Sequence, residues 1–473
     1  MISTSNKHAL LAGLLFLAAT LAACRMGRDY QRPSLALPAT YQSQETDTVT
    51  AADIPWKEFF QDSTLRSLID SGLVYNNSLQ AALKRLDAAG AVARQARLNW
   101  LPTLDVGVEA QSSRPSDNSL DGMSASAVLH RHHVEDYDAY AAFSWEVDVW
   151  GKIRRAKEAS LAGYLRTFQA TRAVRTRLVT DIAAGYYNLL MLDEQLKIAR
   201  RNLALTDSTL TLTRLEQQAG QVTTLAVQQA AAQQQATREI IPRLETERSR
   251  EQNALRLLTG RYPGPLATGR PLSSLRIRDS LRTGIPAAMI SRRPDVRESE
   301  MALVAADARV GVAKASLYPS LRITATGGLN AFTASDWFNV PASLFGLAAG
   351  ALTEPVFRHR QLRTQWEVAK ANREAQVYDF RQTVLTAVGE VSDALVTLNK
   401  LDELDSVTAG RARTLQGAVT NAQWLFTSGM ASYLEIITAQ QNALQAQLDL
   451  AEVKRERLEA VVRLYQALGG GWK

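Results

Sequence analysis

Two stretches of the chain alternate between apolar and polar positions. Over residues 103–111, Leu104, Val106, Val108 and Ala110 share one face, and Asp105, Glu109 and Gln111 share the other. Over 137–149, Ala139, Ala141, Phe143, Trp145, Val147 and Val149 oppose Asp138, Ser144, Glu146 and Asp148. A period of two marks a strand with one face in an apolar medium, and about 10 residues is what a tilted strand needs to cross a bilayer. A second pair, about 320–330 and 344–357, alternates less cleanly. Trp100 and Trp150 fall at one end of the first hairpin, and Tyr318 and Phe357 at the matching end of the second. That is where an interfacial aromatic girdle sits. A soluble sandwich edge alternates in the same way, so alternation alone leaves both environments open.

Elsewhere the period is seven. Leu161, Phe168, Arg175, Ile182, Leu189, Leu196, Leu203 and Leu210 recur every seventh residue, with only Arg175 out of pattern. Tyr164, Leu178, Leu192 and Ala199 form a companion row. Val377, Val384, Val391 and Leu398 run beside Phe380, Ala387, Ala394 and Leu401 in the second half. Such a repeat predicts a coiled-coil seam. The tract from Lys152 to Ala219 would be roughly 100 Å long at 1.5 Å per residue, a reach no globular domain requires. Gly220 and Gly429 are placed to end each outgoing helix and start its return. Pro242 is expected to kink or interrupt the first returning helix.

The chain also resembles itself. Trp145–Arg154 aligns with Glu354–Arg363 at an offset of 209, and so does Gly220–Leu225 with Gly429–Leu434. Upstream, Leu101-Pro-Thr-Leu104 pairs with Tyr318-Pro-Ser-Leu321 at 217, so the first hairpin loop is the longer. The expected organisation is a signal segment 1–23, an N-terminal segment 24–60, a first repeat 61–266, a linker 267–284 and a second repeat 285–473. The first repeat holds a hairpin at about 103–149 and long helices over 151–258. The second holds a hairpin at about 320–357 and long helices over 360–468. Duplication on this scale constrains the fold more than any single motif.

Composition narrows the environment. The 473 residues are 46% hydrophobic and 21% charged, which excludes disorder and a polytopic helical membrane protein. One cysteine excludes a disulfide framework or a cysteine-rich zinc site. The net charge of +7 is dispersed among acids, so it implies no nucleic-acid partner. Lys7 and the apolar run 9–23 form a signal segment too short to span a bilayer comfortably. The run ends Leu21-Ala-Ala-Cys24, which resembles a bacterial lipobox and makes Cys24 the expected lipidation site, carrying diacylglycerol and palmitate. Arg25 rather than Asp resembles lipoproteins sorted to the outer membrane.

Four strands cannot close a barrel. A lipid-facing sheet tolerates no open edge, because hydrocarbon offers no partner for unpaired N–H and C=O groups. The smallest membrane barrels have about eight strands, so two copies would supply eight and three would supply twelve. The fold expected is a mixed α/β membrane protein: a lipid-anchored, oligomeric β-barrel continued by coiled-coil helices. Asp105, Glu109, Glu146 and Asp148 are its candidate lumen-lining groups.

The chain resembles the outer membrane factor family, the TolC-like channels, and within it the NodT-type efflux lipoproteins. The matching words are Asp29-Tyr-Gln-Arg-Pro33, Trp56-Lys-Glu-Phe-Phe-Gln-Asp62, Asp148-Val-Trp-Gly-Lys-Ile-Arg-Arg155, Asn253-Ala-Leu-Arg-Leu-Leu258, Arg292-Arg-Pro-Asp-Val-Arg297, Gly311-Val-Ala-Lys-Ala315 and Ala467-Leu-Gly-Gly-Gly-Trp472. Their order covers essentially the whole mature chain. The resemblance implies a homotrimer with four strands per protomer in a twelve-stranded barrel, a helical periplasmic tunnel, and an equatorial belt from residues 25–76, the linker and the tail. It implies a passive exit duct in the outer membrane, working with a periplasmic adaptor (membrane fusion) protein and an inner-membrane pump of RND type. It implies no cofactor. Where the family usually has Gly, this chain has Arg360, which puts the local turn in question.

Family members narrow to an acid-lined aperture at the tunnel tip. Leu434 matches an apolar constriction position and Glu435 an acidic-ring position, while Thr438 stands where Asp is common. Leu225 is the first-half equivalent of Leu434 at offset 209. A ring of like charges in a narrow pore favours cations. The plainer reading of Glu435 is a solvated carboxylate favourable to a helix N-terminus.

His130, His132 and His133 resemble a metal-binding tract but lie in a polar loop, so no metal site is expected. Arg292–Arg297 reads most simply as a helix start. No Walker loop, GxGxxG, GxSxG or HExxH is present, and no enzyme is expected. A non-conducting lipid-anchored coiled-coil scaffold and an exit duct for type I protein secretion are the rival readings.

Overall fold

The computed structural model describes residues 29–41, 50–275 and 284–473. Cys24 and the signal segment lie outside the described residues, as does 276–283 of the expected linker. By contacts the chain falls into two compact units. Among the described residues, one gathers 29–33, Ala88–Leu165 and Met301–Tyr378, and the other those within Ser34–Asp87, Arg166–Glu300 and Asp379–Lys473. In chain order the main elements are α1 (Ser63–Tyr75), α2 (Asn77–Ala96), β1 (Thr103–Ser113), β2 (Val134–Val147), α3 (Lys152–Gln218) and α4 (Thr224–Leu258). There follow α5 (Pro286–Arg292), α6 (Pro294–Ala315), β3 (Ser320–Ala331), β4 (Leu344–Thr353), α7 (Gln361–Thr427) and α8 (Tyr433–Ala467).

The first unit carries one antiparallel sheet of order β1-β2-β3-β4, with β1 and β4 as its outer strands. Its strands match both expected hairpins, but β2 stops at Val147 and β4 at Thr353, short of the expected 149 and 357. The cause at β2 is the helix that follows. Asp148 turns its carboxylate to the N–H groups of Ile153 and Arg154, both at 2.9 Å, and so caps the start of α3. After β4 the corresponding turn uses His359 at φ +49 and Arg360 at φ +64, where the first hairpin has Gly151 at φ +77. The turn is therefore kept without glycine, at a backbone cost of about 1–2 kcal/mol per residue.

The helices come in matched lengths. α3 and α7 have 67 residues each, and α4 and α8 have 35 each. Gly220 at φ +73 and Gly429 at φ +72 make the left-handed turns that end the outgoing pair. α4 runs on through Pro242, so of the expected kink or interruption the interruption does not occur. Thr237 and Leu244 on either side of it are buried, and that packing offsets the lost hydrogen bond.

In the second unit the buried positions of α7 follow a heptad rhythm: Phe380, Val384, Ala387, Val391, Ala394 and Leu401, then Thr408, Ala412, Val419, Ala422 and Phe426. On α3 the seam changes chemistry along its length. Ile182, Leu189, Leu196 and Ala199 are buried first, and Asn202, Thr206, Thr209 and Thr213 take over toward Gly220.

The main core gathers segments distant in sequence. Trp56, Phe59 and Phe60 join Leu65 and Ile69 of α1, Ile182, Tyr186 and Leu189 of α3, Leu255 of α4, Leu272, and Tyr465 of α8. Tyr465 stacks on Phe59 at 3.9 Å between ring centroids and donates to the Ile54 carbonyl at 2.7 Å. Asp62 caps α1 through the N–H groups of Thr64 and Leu65, and its second oxygen accepts the Tyr186 hydroxyl at 3.2 Å. Burial pushes the Tyr186 and Tyr465 hydroxyls up to about 12, so both remain donors throughout the neutral range. Replacing Tyr465 by Ala is expected to cost about 3–5 kcal/mol, from lost burial and the cavity left behind. A urea titration of the detergent-solubilised protein would show this as a lowered midpoint.

Candidate conduction pathway

The sheet has two chemically distinct faces. The register pairs Asp105 with Ala142, Glu109 with Asp138, and Glu146 with Arg322, so these side chains share a face with Tyr140, Ser144, Thr324 and Asn330, a mainly polar face that β4 interrupts with Phe345 and Leu347. The opposite face carries Leu104, Val106 and Val108, then Ala139, Ala141, Phe143 and Trp145, then Leu321, Ile323 and Leu329, then Leu344 and Leu352. This apolar face lies open, with Val106 79% exposed. An exposed apolar surface of this extent calls for lipid or protein cover.

On the polar face Glu109 accepts the Tyr140 hydroxyl at 3.0 Å, and Asn330 donates to both Asp136 and Asp138, at 2.7 and 2.8 Å. Glu146 accepts Lys152 at 2.8 Å and lies 4.0 Å from Arg322. Acids thus crowd the loop end of this face, and cations enter at the helix end. Of the four expected lumen groups, the sheet puts Asp105, Glu109 and Glu146 on one face, spread along its length. Asp148 lies beyond β2, occupied by the helix cap described above.

In the second unit, the expected gate residues all sit in the first turns of the returning helices. Leu225 and Leu434 occupy equivalent positions in α4 and α8 and are 57% and 56% exposed. Thr438 is exposed one turn further on. Glu435 closes a capping box: its carboxylate accepts the backbone N–H of Ser432 at 2.7 Å and also the Ser432 hydroxyl. That hydroxyl, followed by backbone N–H groups, holds the Glu435 carboxyl below the usual glutamate range. Behind the tip, Phe426 and Ile436 pack with Ala422 against Leu212.

Sequence periodicity missed the polar part of the α3 seam, because Thr and Asn do not signal burial. There Gln440, nearly fully buried, donates to Thr209 at 2.9 Å; Asn202 donates to Gln447 at 3.4 Å, and Gln195 to the Leu448 carbonyl at 3.4 Å. Positions 195, 202 and 209 recur every seven residues, so α3 and α8 are joined by a periodic polar ladder. The Gln440 carbonyl oxygen has no partner.

Two other motifs resolve structurally. Arg293 pairs with Asp295 and Glu390, both at 2.6 Å, and donates to the Ala467 carbonyl at 3.0 Å, tying α6, α7 and α8 together. His132 lies 3.1 Å from Asp117 in an exposed loop, and no metal-holding cluster of His, Cys, Asp or Glu forms among the described residues. Among the same residues, no helix is long and apolar enough to cross a membrane.

The family model described as outer membrane efflux protein matches residues 68–261 and 285–470. The chain belongs to the outer membrane efflux protein family. It is similar to the cation efflux system protein CusC of Escherichia coli K12, at 28% identity across 96% of this chain and 98% of that one. It is also similar to the toluene efflux pump outer membrane protein TtgC of Pseudomonas putida, at 29% identity across 97% of this chain and 96% of that one. Among solved structures, the open-state MtrE outer membrane channel of Neisseria gonorrhoeae superposes with a TM-score of 0.86 at 26% identity, covering 95% of this chain and 99% of that one. The family is one of channels rather than enzymes.

The capping box sets a pH expectation. Because the Glu435 pKa is lowered on folding, its contribution is fully present at neutral pH. It is lost as pH falls from the ordinary glutamate value through the lowered one. Nuclear magnetic resonance titration of Glu435 should show that depression, and Ser432→Ala should move the midpoint back up.

Proposed function

We propose that this protein is the passive exit duct of a tripartite efflux system: three copies close a twelve-stranded outer-membrane barrel, and their helices form the periplasmic tunnel. The carrying observation is a four-stranded sheet with an open apolar face and two unpaired edges. Such a sheet is stable in lipid only if its edges are paired by other copies. An internal two-fold repeat is supported by element positions, since α3 and α7, and likewise α4 and α8, begin 209 residues apart. The polar face then lines the lumen, with Asp105, Glu109 and Glu146 on it. Residues around Trp56–Phe60, the linker and the C-terminal tail form the belt, and Cys24 carries the lipid anchor.

The tips act as the gate. Leu225 and Leu434 supply apolar rings, Glu435 a ring of three carboxylates, and Thr438 a neutral ring behind it. A periplasmic adaptor and an inner-membrane pump of RND type complete the path; the names of CusC and TtgC, an efflux system protein and an efflux pump outer membrane protein, support partners of this kind. One of those names specifies cations and the other toluene, so the duct architecture accommodates unlike cargo.

Single-channel recording in planar bilayers tests this reading. Purified trimers should give small or rare openings that grow when the Leu434–Thr438 turn is loosened. Glu435→Gln keeps the capping geometry and removes the charge. It should therefore move the reversal potential in a salt gradient toward zero, and lower thermal stability by no more than the small contribution that the ionised carboxylate makes to its own turn. Absence of conductance in every trimeric preparation would establish the scaffold alternative instead.

A further inference from the structure

The two hairpins end in different ways. At position 148 the first has the Asp carboxylate that caps α3. Trp150 donates to the Pro319 carbonyl at 2.7 Å and stacks on Tyr318 with centroids 5.1 Å apart. At the equivalent positions 209 residues later stand Phe357, His359 and Arg360. The carboxylate is gone, and two consecutive non-glycine residues take left-handed conformations. Val356 and Phe357 are 95% and 80% exposed. The turn keeps partners of its own, Arg360 to Glu367 at 3.1 Å and the Phe357 ring 5.0 Å from that of His359, but the apolar side chains of Val356 and Phe357 stay uncovered, and such a surface calls for cover from outside.

The opposite edge of the sheet offers the complement. Leu98, Trp100 and Leu101 lie exposed immediately before β1. Both apolar corners are at the same end of the sheet, because β1 leaves that end at Thr103 and β4 returns to it at Thr353. An antiparallel partner for β4 from a second copy is either another β4 or a β1. A β4–β4 seam inverts the second copy and sends its helices to the other side of the membrane. A β4–β1 seam keeps every copy in one orientation and brings residues 98–101 of one copy to residues 356–357 of the next.

We propose that the Val356–Phe357 turn of one copy docks against the Leu98–Leu101 corner of the next, an apolar clasp locking each β4–β1 seam at its helix end. This rests on the oligomeric barrel reading above. Trp150 of the first hairpin is instead satisfied within its own chain, by the Pro319 carbonyl and the Tyr318 ring.

Cysteine chemistry gives a clean test, since Cys24 is the only cysteine in the chain. The full-length protein carrying Val356→Cys together with Leu101→Cys, assembled in membranes and mildly oxidised, should run as covalent dimers and trimers on a non-reducing denaturing gel. Either single variant should remain monomeric. A parallel sample treated with an amine-reactive cross-linker reports the oligomer itself. Trimers trapped by that reagent without disulfide products would overturn the clasp and leave the barrel reading standing. No trimers with either reagent would overturn both. Phe357→Ser should shorten the lifetime of the oligomer in detergent on the order of tenfold, the scale set by burying one aromatic side chain, with protomer circular dichroism unchanged. An unchanged lifetime would mean that lipid rather than a second copy covers the turn, and would also overturn the clasp.

Discussion

Backbone hydrogen bonding at the two outer strands is the constraint on which the architecture depends. Each of β1 and β4 presents one row of N–H and C=O groups with no partner in the sheet, and the apolar face beside them excludes water as the natural environment. In hydrocarbon those groups have one remedy, strands from another chain. On the proposed reading, oligomerisation is thus a condition of the sheet's existence in a membrane.

The helical part is stabilised unevenly. Where α1, α3, α4 and α8 meet, aromatic and aliphatic groups such as Trp56, Tyr186, Leu189 and Tyr465 are withdrawn from water, and Asp62 satisfies both a helix start and a buried hydroxyl. Toward Gly220 the same seam is built from Asn202, Thr206, Thr209 and Thr213. Hydrogen bonds of this kind contribute about 1 kcal/mol each and depend on geometry, whereas apolar burial is non-directional. The seam is thus apolar at the core and mixed toward the tips, where Leu210 and the cluster of Leu212, Phe426 and Ile436 lie among the buried threonines. The unpartnered Gln440 oxygen belongs to the mixed part. Glu435 fits this division, since its carboxylate serves its own turn through Ser432 while the apolar Leu434 beside it stays exposed.

Much of this was legible in the chain, for a definite reason. Periods of two and seven are imposed by strand and helix geometry, so the alternation over 103–111 and the heptads from Leu161 to Leu210 announced the elements directly. The self-similarity at 209 and the glycines at 220 and 429 located their ends. Tertiary structure decided what periodicity does not encode. Asp148 alternates in phase with Glu146, yet it caps α3, because a helix begins four residues later with N–H groups to satisfy. Asn202 and Thr209 are buried although polar, because α8 supplies or leaves room for their partners. Pro242 stays within α4 because its neighbours are packed. Sequence by itself determined the elements, since those depend on local backbone geometry. Only the fold decided which polar groups serve as caps and seams, because each such choice depends on a partner that periodicity along the chain does not name.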